Sequence, residues 1–442
     1  MPPTLYPEAP LTIDELRDAW PVLAADERFE GFLALDREVA DDFFLGLSAP
    51  DQVLMLRAMP QSGRRLWFHQ LAPDDAADVI QDFPEDERAP MLALIDEAFR
   101  REIQGLLAYA EDAAGGLMSP RFARLRPEMT VDEAMHYLRR QAREHLETLN
   151  YSYVLDIDQR LIGVVSFRDL FRESGAKSLR DVMQQEIISV PDTMDQEAVA
   201  RVFAQHDLNA IPVVDADGHM KGIVTADDIV DVVQSEATED IQKLGGMEAL
   251  DTPYMRTGLA AMVKKRAGWL SALFLGEMLT ASAMGHYEVE IARAVVLALF
   301  VPLIISSGGN SGSQATTLII RAMALGEVGL RDWWRIMRRE IGAGLSLGLI
   351  LATLGFIRIV AWQLMFGTYG AKYAYVAASV AVSLVGVVTW GTVMGSMLPF
   401  VIRRFGFDPA SASAPFVATL VDVSGLMIYF NVARLILGGV VL

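Results

Sequence analysis

Long apolar stretches in the C-terminal part of the chain are the feature that most constrains its fold. A membrane-spanning helix needs about 20 mostly apolar residues, and residues 263–442 contain several such runs, separated by short charged or Gly/Pro-containing breaks. The runs are roughly residues 268–284, 295–323, 341–365, 373–401 and 412–437. Soluble helices are usually amphipathic and average about 11–12 residues. The sequence therefore predicts an α-helical transmembrane domain with five spans over residues 263–442.

The distribution of charge divides the 442-residue chain at the same point. Residues 1–262 contain 49 acidic and 24 basic residues, a net charge of −25, whereas residues 263–442 contain 8 acidic and 14 basic residues, a net charge of +6. An acidic surface repels phosphates, so the first part disfavours nucleic acid as a partner and favours cations. The absence of cysteine excludes a disulfide-stapled domain and a cysteine-ligated metal centre.

Basic residues in alternate loops predict the orientation in the membrane. Positive charge precedes the first span, lies between the second and third spans, and joins the fourth to the fifth. These residues are Lys264, Lys265, Arg266, Arg331, Arg335, Arg338, Arg339, Arg403 and Arg404. By the positive-inside rule, a multi-pass protein of the cytoplasmic (inner) membrane is expected, with residues 1–262 in the cytoplasm and the C-terminus outside.

Polar residues within apolar spans are costly and so point to function. Asp422 is the only acidic residue of the predicted fifth span, and Thr419, Asp422 and Gly425 share one helix face through their i, i+3, i+6 spacing. Two interpretations of Asp422 stay open. It is either a cation site on a permeation path or the partner of an arginine such as Arg358 or Arg434.

The predicted second span contains a glycine and amide cluster at residues 302–317, which includes Asn310 and Gln314. Such a run cannot face lipid, because its polar groups need protein or water partners, so it predicts a cavity or a helix crossing. The glycines are compatible with close packing alone, whereas the amides favour a cavity. Glu277, in the predicted first span, lies either near a water-filled vestibule or beside an arginine.

The region before residue 118 has a helical repeat. The segments Leu47-Ser-Ala-Pro-Asp51 and Leu71-Ala-Pro-Asp-Asp75 are 24 residues apart, and the pairs Met59-Pro60 and Phe83-Pro84 recur at the same offset. Each unit opens with a Pro-Asp helix start and closes at a proline. Residues 1–117 are therefore predicted to form an all-α helical-repeat domain.

A second repeat follows, in which an amphipathic helix and a strand precede a Gly-x-x-[Ser/Thr]-x-x-Asp turn into another helix. Residues 153–158 align with residues 212–217, and residues 163–169 align with residues 222–228. Short apolar strands that alternate with helices, repeated once, indicate a pseudo-symmetric α/β pair.

This pair resembles tandem CBS domains (cystathionine-β-synthase type), assigned here to residues 118–180 and 181–235. In many families such modules bind adenine nucleotides or metal at their interface, which makes ATP a candidate ligand. Two hydroxyl and carboxylate pairs are candidate nucleotide contacts, because they suit a ribose: Ser166 with Asp169, and Thr225 with Asp228. The alternative is that Ser166 and Thr225 only cap the helices that follow.

Acidic clusters recur in the first part of the chain. Asp74 and Asp78 have i+4 spacing, and Asp228 and Asp231 have i+3 spacing, so each pair lies on one helix face, where like charges destabilise the helix unless a cation screens them. A solvated helix face explains any single pair. The several clusters together favour a hard divalent cation such as Mg²⁺ or Ca²⁺. Residues 236–262 then connect the two parts through a helix that is expected to end near Gly245-Gly246.

The order of helical repeat, CBS pair, connecting helix and five spans resembles the MgtE-type magnesium channel and transporter family over essentially the whole chain. The most specific matches are the Pro302–Gln314 segment and Ala418-Thr-Leu-Val-Asp422-Val-Ser-Gly425, with Ala237-Thr-Glu-Asp-Ile-Gln-Lys-Leu-Gly-Gly246 nearly as telling. The resemblance implies a homodimer in the lipid bilayer whose pore lies between two subunits. Asp422 would hold hydrated Mg²⁺ there, with Asn310 and the backbone of Ala418 and Gly425 holding its waters.

The resemblance also implies regulatory sites for cytosolic Mg²⁺. These would use Asp74, Asp78, Glu197, Asp207, Asp228, Asp231, Glu239 and Asp240. The expected function is a Mg²⁺-selective channel that cytosolic Mg²⁺ closes by bridging acidic faces; the alternative is a CBS-regulated secondary carrier of divalent cations. An enzyme is not expected, because the six histidines and the absent cysteine offer no nucleophile and base near the spans.

Overall fold

The computed structural model describes residues 12–142, 146–250, 252, 254, 255 and 257–438. The chain forms two compact units, Met1–Glu236 and Ala237–Leu442, called unit 1 and unit 2. The outer ends of the predicted first and last domains, residues 1–11 and 439–442, lie outside the described residues.

Unit 1 begins with short helices that reproduce the sequence repeat. They are α1 (Ile13–Ala19), α2 (Ala25–Leu33), α3 (Arg37–Leu45), α4 (Ala49–Ala58), α5 (Gln61–Phe68), α6 (Pro73–Asp82), α7 (Glu85–Leu92) and α8 (Glu97–Leu106). Helices α6 and α7 start 24 residues after α4 and α5, respectively. Pro50 and Pro73 lie in the first turns of α4 and α6, where the missing N–H breaks no intrahelical bond. The predicted helical repeat is confirmed.

The second part of unit 1 is the predicted α/β pair. Its elements are α9 (Ala114–Leu117), β1 (Arg124–Leu125), α10 (Val131–Gln141), β2 (Tyr151–Leu155), β3 (Leu161–Ser166), α11 (Phe167–Arg172), α12 (Leu179–Val182), β4 (Val190–Pro191), α13 (Gln196–His206), β5 (Ala210–Val214), β6 (Met220–Thr225) and α14 (Ala226–Leu244). They build two three-stranded sheets, ordered β1-β2-β3 and β4-β5-β6.

The two sheets have the same construction, which confirms the sequence alignment of the repeats. In each, a parallel pair is followed by an antiparallel pair, with Tyr151 opposite Ser166 in the first sheet and Ala210 opposite Thr225 in the second. Each antiparallel pair has a register shift before the last residue of its first strand. The sheets are joined by backbone hydrogen bonds, Leu161 N to Gly218 O at 3.1 Å and Met220 N to Gln159 O at 3.1 Å.

One apolar core joins the N-terminal helices to the second CBS repeat. It contains Val79 and Ile80 of α6, Ile211 of β5, and Ile229 and Val232 of α14. These side chains exclude water, which is the main favourable contribution to packing. The shared core brings the acidic residues at the edges of α6 and α14 into one region.

Helix α14 continues past the CBS pair as the connector. It runs without a break from Ala226 to Leu244, so the connecting segment predicted from residue 236 continues a helix that begins directly after β6. No glycine or proline interrupts this stretch, which explains its length. The helix ends where the sequence predicts, and Gly246 has a φ of +72°, a conformation that favours glycine.

The described part of unit 2 contains the end of α14 and a further set of helices. These are α15 (Leu259–His286), α16 (Glu288–Arg293), α17 (Val301–Ala324), α18 (Trp333–Phe366), α19 (Tyr373–Arg404) and α20 (Ala414–Leu437), with 3₁₀ helices at Val295–Phe300, Leu330–Asp332 and Pro409–Ser411. An apolar core between α17, α19 and α20 contains Ile304, Val387 and Val421. The predicted α-helical character of this region is confirmed.

Four helical stretches of the described chain are long and apolar enough to cross a membrane. They are Val295–Ala324, Leu330–Phe366, Tyr373–Arg404 and Ala414–Leu437. The predicted first span, α15, is a helix of 28 residues but is not among them. It carries Lys264, Lys265 and Arg266 near its start and Glu277 within its apolar part. The predicted count of five spans is therefore not confirmed by length and hydropathy.

Glycines allow α17 and α19 to cross at backbone contact. A Cβ atom on Gly391 would lie 2.3 Å from the carbonyl oxygen of Gly308, and one on Gly395 would lie 2.1 Å from that of Gly312. Glycine pairs four residues apart permit such approaches between apolar helices. The packing interpretation of the glycine cluster is thus confirmed for Gly308 and Gly312.

Gly395→Ala is expected to destabilise unit 2, because its new methyl group would meet backbone that cannot rotate away. The cost of overpacking is about 1–3 kcal/mol, measured as a lower thermal midpoint of the full chain in detergent. Gly342→Ala on α18 is the matched control, since its Cβ would meet nothing within 4 Å. Equal midpoints for both variants would contradict the close crossing.

Candidate cation sites

Asp422 lies about a third of the way along α20, next to a gap on α17. A Cβ atom on Gly309 would lie 3.4 Å from the Cβ of Ala418 and 3.8 Å from Oδ1 of Asp422. The half-buried Asp422 carboxylate makes no hydrogen bond or ion pair with any described residue. A carboxylate at this depth is costly unless a cation or water neutralises it. The position therefore suits a cation ligand.

The arginines considered as partners of Asp422 are placed elsewhere. The Arg358 guanidinium donates to Tyr369 Oη at 3.2 Å and lies 3.6 Å from the ring centroid of Trp362. Arg434 is exposed on α20. Within the part of the chain that the structure describes, neither forms an ion pair with Asp422. This arrangement favours the cation-site interpretation over the arginine pair.

The other predicted pore residues lie in two different places, either beside the gap at Gly309 or against α19. Ala418 is half-buried beside Gly309, and the neighbouring Asn310 is exposed, with its Nδ2 donating to Ser306 Oγ at 3.4 Å. Gly425 instead packs against α19, where its Cβ would lie 3.0 Å from Val387 Cγ1. The structure thus brings Asp422 together with Ala418 and Gly309, while Gly425 serves the helix contact.

Glu277 faces an open groove rather than an arginine. The groove, about 710 Å³ in volume, is lined by Glu277, Thr419 and apolar residues of α15. A Cβ on Gly276 would lie 2.9 Å from Thr419 Cγ2, so α15 crosses α20 close to the Asp422 turn. Glu277 is also near enough to act electrostatically on Asp422. The vestibule interpretation of Glu277 fits this placement, and the closeness of the two acids was not predicted from the sequence.

The acidic residues of α6 and α14 gather in unit 1. Their carboxylates act on one another and on two further acids, and the group comprises Asp74, Asp75, Asp78, Glu111, Glu147, Asp227, Asp228 and Asp231. Asp74 is buried, and its Oδ1 has no hydrogen-bond partner among the described residues. Sequence spacing identified two residues on each helix. Glu147, between α10 and β2, carried no signal that linked it to them.

The surroundings raise the pKa of several of these carboxyl groups. Desolvation contributes most, and neighbouring carboxylates add to it, so the pKa of Asp75 rises to about 6, that of Asp78 to about 8 and that of Asp228 to about 7. The pKa of Asp74 is raised well above its ordinary value for the same reasons. Asp75 and Asp78 keep surfaces exposed to water. These carboxyl groups therefore line a water-accessible region, and a cation bound there would neutralise their negative charge.

These acids do not form a tight cage. Among the described residues, the group with at least three ligand atoms all within 4.8 Å is Asp215, Asp217 and His219, on the turn between β5 and β6. There, Lys221 Nζ donates to Asp215 at 3.0 Å and supplies the positive charge. The wider spacing around Asp74 suits Mg²⁺, which usually keeps several of its waters in protein sites.

Two of the remaining predicted regulatory residues, Glu197 and Glu239, have ion-pair partners on their own helices. Glu197, on α13, lies 3.8 Å from Arg201 Nη1, and Asp207 closes the same helix with a φ of +50°. Glu239 and Asp240 lie on the part of α14 that belongs to unit 2, where Glu239 forms an ion pair with Lys243. A cation at Glu197 or Glu239 would have to compete with such pairs.

The candidate nucleotide contacts act as helix caps. Ser166 Oγ donates to Asp169 Oδ2 at 2.6 Å and accepts from Asp169 N at 3.1 Å. Thr225 Oγ1 and Thr225 N donate to Asp228 Oδ2 at 2.7 and 3.0 Å. Ser166 thus caps α11 through its hydroxyl, as the capping interpretation expects. At the start of α14 the backbone bond is instead accepted by the Asp228 carboxylate, not by the Thr225 hydroxyl.

An acidic unit with a CBS pair, followed by apolar helices whose Asp422 carboxylate has no partner among the described residues, is the arrangement expected of a membrane transporter of cations with regulatory domains. Three family models match the chain: an MgtE intracellular N domain over residues 11–112, CBS domains over 114–176 and 179–235, and a divalent cation transporter over 301–432. The chain belongs to the MgtE family of magnesium transporters, which are transporters rather than enzymes.

Relatives match along most of the chain. The magnesium transporter MgtE of Thermus thermophilus is 39% identical over 429 residues, which cover 96% of this chain and 93% of the relative. That of Bacillus subtilis is 30% identical, covering 92% and 87%, respectively. A solved structure described as the cytosolic domain of the Mg²⁺ channel MgtE in complex with ATP is 36% identical, covers 50% of this chain and 90% of that chain, and has a TM-score of 0.47.

The acidic group of unit 1 predicts a pH dependence in the absence of divalent cations. A carboxyl group whose pKa is raised on folding stabilises the folded state below its unfolded pKa, about 3.9–4.3, and loses this contribution as pH rises through the folded value. For Asp75, Asp228 and Asp78, the loss therefore begins above about pH 4 and is complete near pH 6, 7 and 8, respectively. Amide exchange protection of α6 should therefore fall over this range in the full chain with chelator.

Saturating Mg²⁺ at the alkaline end of the range is expected to restore this protection. Asp78→Asn should flatten the pH dependence, because it removes a carboxyl group whose pKa is raised to about 8. Asp14→Asn, on the exposed face of α1, should leave it unchanged. Protection that is independent of both pH and Mg²⁺ would contradict the electrostatic coupling of α6 and α14.

Proposed function

We propose that this protein is a Mg²⁺ channel in which Asp422 holds the hydrated ion at membrane depth. The observation that carries the proposal is the Asp422 carboxylate, which no described residue pairs, beside the gap at Gly309. Mg²⁺ gives up its waters reluctantly, so a site that binds the hydrated ion through carboxylate and backbone oxygens avoids the dehydration cost. Ala418 and Asn310, on either side of the gap, would receive hydrogen bonds from the ion's waters.

A homodimer completes this proposal. One Asp422 supplies a single negative charge, whereas two copies of α20 on a twofold axis supply a pair of carboxylates around one ion. The exposed residues of α15, including Leu270, Phe274 and Glu277, then face either the second copy or the water-filled approach to the pore. In that arrangement α15 also crosses the membrane and brings the number of spans to five. The N-terminus is then cytoplasmic and the C-terminus outside, as the basic loops predict.

Cytosolic Mg²⁺ is proposed to close the channel. At low Mg²⁺, the acids of α6 repel those at the start of α14, and the domains separate. At high Mg²⁺, ions neutralise the group around Asp74 and Asp228 and favour the compact form seen here. An ion shifts this equilibrium only through its higher affinity for the compact form. Several weak sites, including Glu197, Asp207 and Asp240, would make the response steep.

The CBS pair is the proposed place for a nucleotide such as ATP. Ser166 and Thr225 already bond Asp169 and Asp228, so a ribose would have to replace these caps or contact other atoms of the pair. A solved MgtE cytosolic domain is described in complex with ATP, which supports testing this ligand on the full chain.

Asp422→Asn is expected to abolish Mg²⁺ flux into liposomes, because an amide of the same shape lacks the charge that holds the ion. Glu327→Gln, on an exposed turn after α17, removes the same charge and should leave the flux unchanged. Normal flux through Asp422→Asn would exclude the pore assignment. Single-channel currents in the unmodified protein distinguish a channel from a secondary carrier, which would show flux without such currents.

Replacing Asp228, Asp231 and Asp240 together by asparagine should raise the open probability at high internal Mg²⁺. The closed form would then have fewer carboxylates for Mg²⁺ to bridge, so Mg²⁺ would favour it less. The matched control replaces the exposed Asp14, Asp18 and Asp26, which removes equal charge from α1 and α2. Patch recordings over a series of internal Mg²⁺ concentrations measure the effect. The same Mg²⁺ response in both triple variants would remove these residues from the sensor.

A further inference from the structure

The C-terminal end of the connector helix meets the segment that starts α20. Leu244, the last residue of α14, packs against the buried Ala410 and Ala412 between α19 and α20. Gly246 follows with its left-handed backbone so close to α15 that a Cβ would lie 2.7 Å from Trp269 Nε1 and 3.3 Å from Pro415 Cγ. The connector therefore ends in a packed joint within unit 2 rather than in open solvent.

Lys243 supplies the charge in this joint. Its Nζ donates to Asp408 Oδ2 at 2.7 Å and also forms an ion pair with Glu239, one turn earlier on α14. The second oxygen of Asp408 accepts from Ala410 N at 2.9 Å and so caps the 3₁₀ helix at Pro409–Ser411. One ammonium thus bridges two carboxylates, one on the connector and one on the segment between α19 and α20.

The same segment leads directly into the helix that carries Asp422. Trp269 Nε1 donates to Ser413 Oγ at 3.1 Å, and this hydroxyl in turn accepts from Phe416 N and caps α20. Asp422 lies eight residues beyond Ala414, roughly 12 Å along the helix at about 1.5 Å per residue. A displacement of the joint would therefore move the start of the Asp422 helix.

We propose that Lys243 is a positioning residue that links the connector to the start of α20, so that movement of the connector reaches the helix carrying Asp422. The inference rests on the proposed channel function. The ammonium occupies the place between Glu239 and Asp408 where a divalent cation would otherwise be needed to offset their repulsion. The joint consequently holds without Mg²⁺, and the connector stays attached to α20 at low and high Mg²⁺ alike.

The contrasting possibility is an exposed ion pair, which usually contributes little to stability and has no role in coupling. Three features distinguish this joint from such a pair. Lys243 contacts two carboxylates rather than one, Asp408 is held by its capping bond, and the apolar contact of Leu244 lies beside them. An ordinary pair and a coupling residue differ in their effect on Mg²⁺ regulation.

Lys243→Met retains most of the side-chain stem but removes the charge, and it should leave a residual Mg²⁺ flux at internal Mg²⁺ concentrations that close the unmodified channel. Single-channel conductance should be unchanged, because Asp422 is untouched. Asp408→Asn keeps a capping side chain, loses the ion pair and should show the same leak. Lys243→Arg keeps the positive charge and should close as the unmodified channel does. In the double variant of Lys243→Met and Asp408→Asn, the leak should not exceed that of either single variant.

Lys264→Met is the matched control, because Lys264 is exposed on α15 and has no partner among the described residues. It should close normally. Equal closure by Lys243→Met and Lys264→Met would overturn the proposal and leave an ordinary surface pair. Additive leaks in the double variant would overturn it too, since independent effects do not come from one shared contact.

A second measurement does not require flux. The chain has no cysteine, so Ile241→Cys and Phe407→Cys, both at exposed positions, can carry one pair of spin labels per subunit across the joint. Mixing with unlabelled protein isolates the distance within one subunit. The label distance should have a narrow distribution with or without Mg²⁺ and become broad after Lys243→Met. An unchanged narrow distribution would overturn the proposal. Absence of any Mg²⁺ flux in the unmodified protein would instead overturn the channel function, while the distances still test the joint.

Discussion

Negative charge without a protein partner is the constraint on which the rest of this structure depends. In unit 1, an apolar core that includes Ile80 and Ile229 holds α6 against α14, and this packing forces their acidic edges together. The core favours the compact form, whereas the repulsion among Asp74, Asp78 and Asp228 opposes it. The raised pKa values of these carboxyl groups reflect both their burial and this repulsion. A cation or proton that relieves it therefore shifts the balance between compact and separated forms.

The same constraint appears in unit 2 in a different form. Gly308 and Gly312 bring α17 to backbone contact with α19, and the buried Ser311 and Thr392 hydroxyls bond there at 2.6 Å. Gly309, on the adjacent face, leaves the gap beside Asp422. A helix turns about 100° per residue, so neighbouring glycines of one motif lie on different faces. Gly308 and Gly312 therefore lie at the contact with α19, whereas Gly309 faces α20. Close packing fixes the helices, and the gap leaves the carboxylate accessible.

Lys243 illustrates a third arrangement, in which a lysine of the same chain neutralises the carboxylates. Where Glu239 and Asp408 approach each other, the chain provides its own cation, as Lys221 does for Asp215. Carboxylates that have a lysine partner hold structure at all Mg²⁺ concentrations. Within the described chain, the carboxylates of Asp74 and Asp422 lack such a partner, and they are the places where an external ion can change the free energy. The contrast separates proposed permanent contacts from proposed regulated ones within a single acidic chain.

Local features of the sequence were sufficient for much of the fold. The 24-residue helical repeat, the duplicated α/β module and the end of α14 at Gly245-Gly246 depend on proline, glycine and hydrophobic periodicity, which act over a few residues. The start of the connector was less predictable, because α14 passes from the CBS pair into the connector with no change in helix propensity. The five-span count was not confirmed, since Glu277 and the basic start of α15 reduce its apolar character.

The sequence by itself determined the two-part organisation, the repeats and the acidic residue types, because these follow from composition and short-range spacing. Only the tertiary structure decided which acids meet. Glu147 joins the group on α6 and α14, Glu277 approaches Asp422, and Gly425 turns to Val387. It also decided that Lys243 pairs with Asp408, 165 residues away. Such contacts depend on how separate helices pack, and helix packing is set by surfaces that no local pattern specifies.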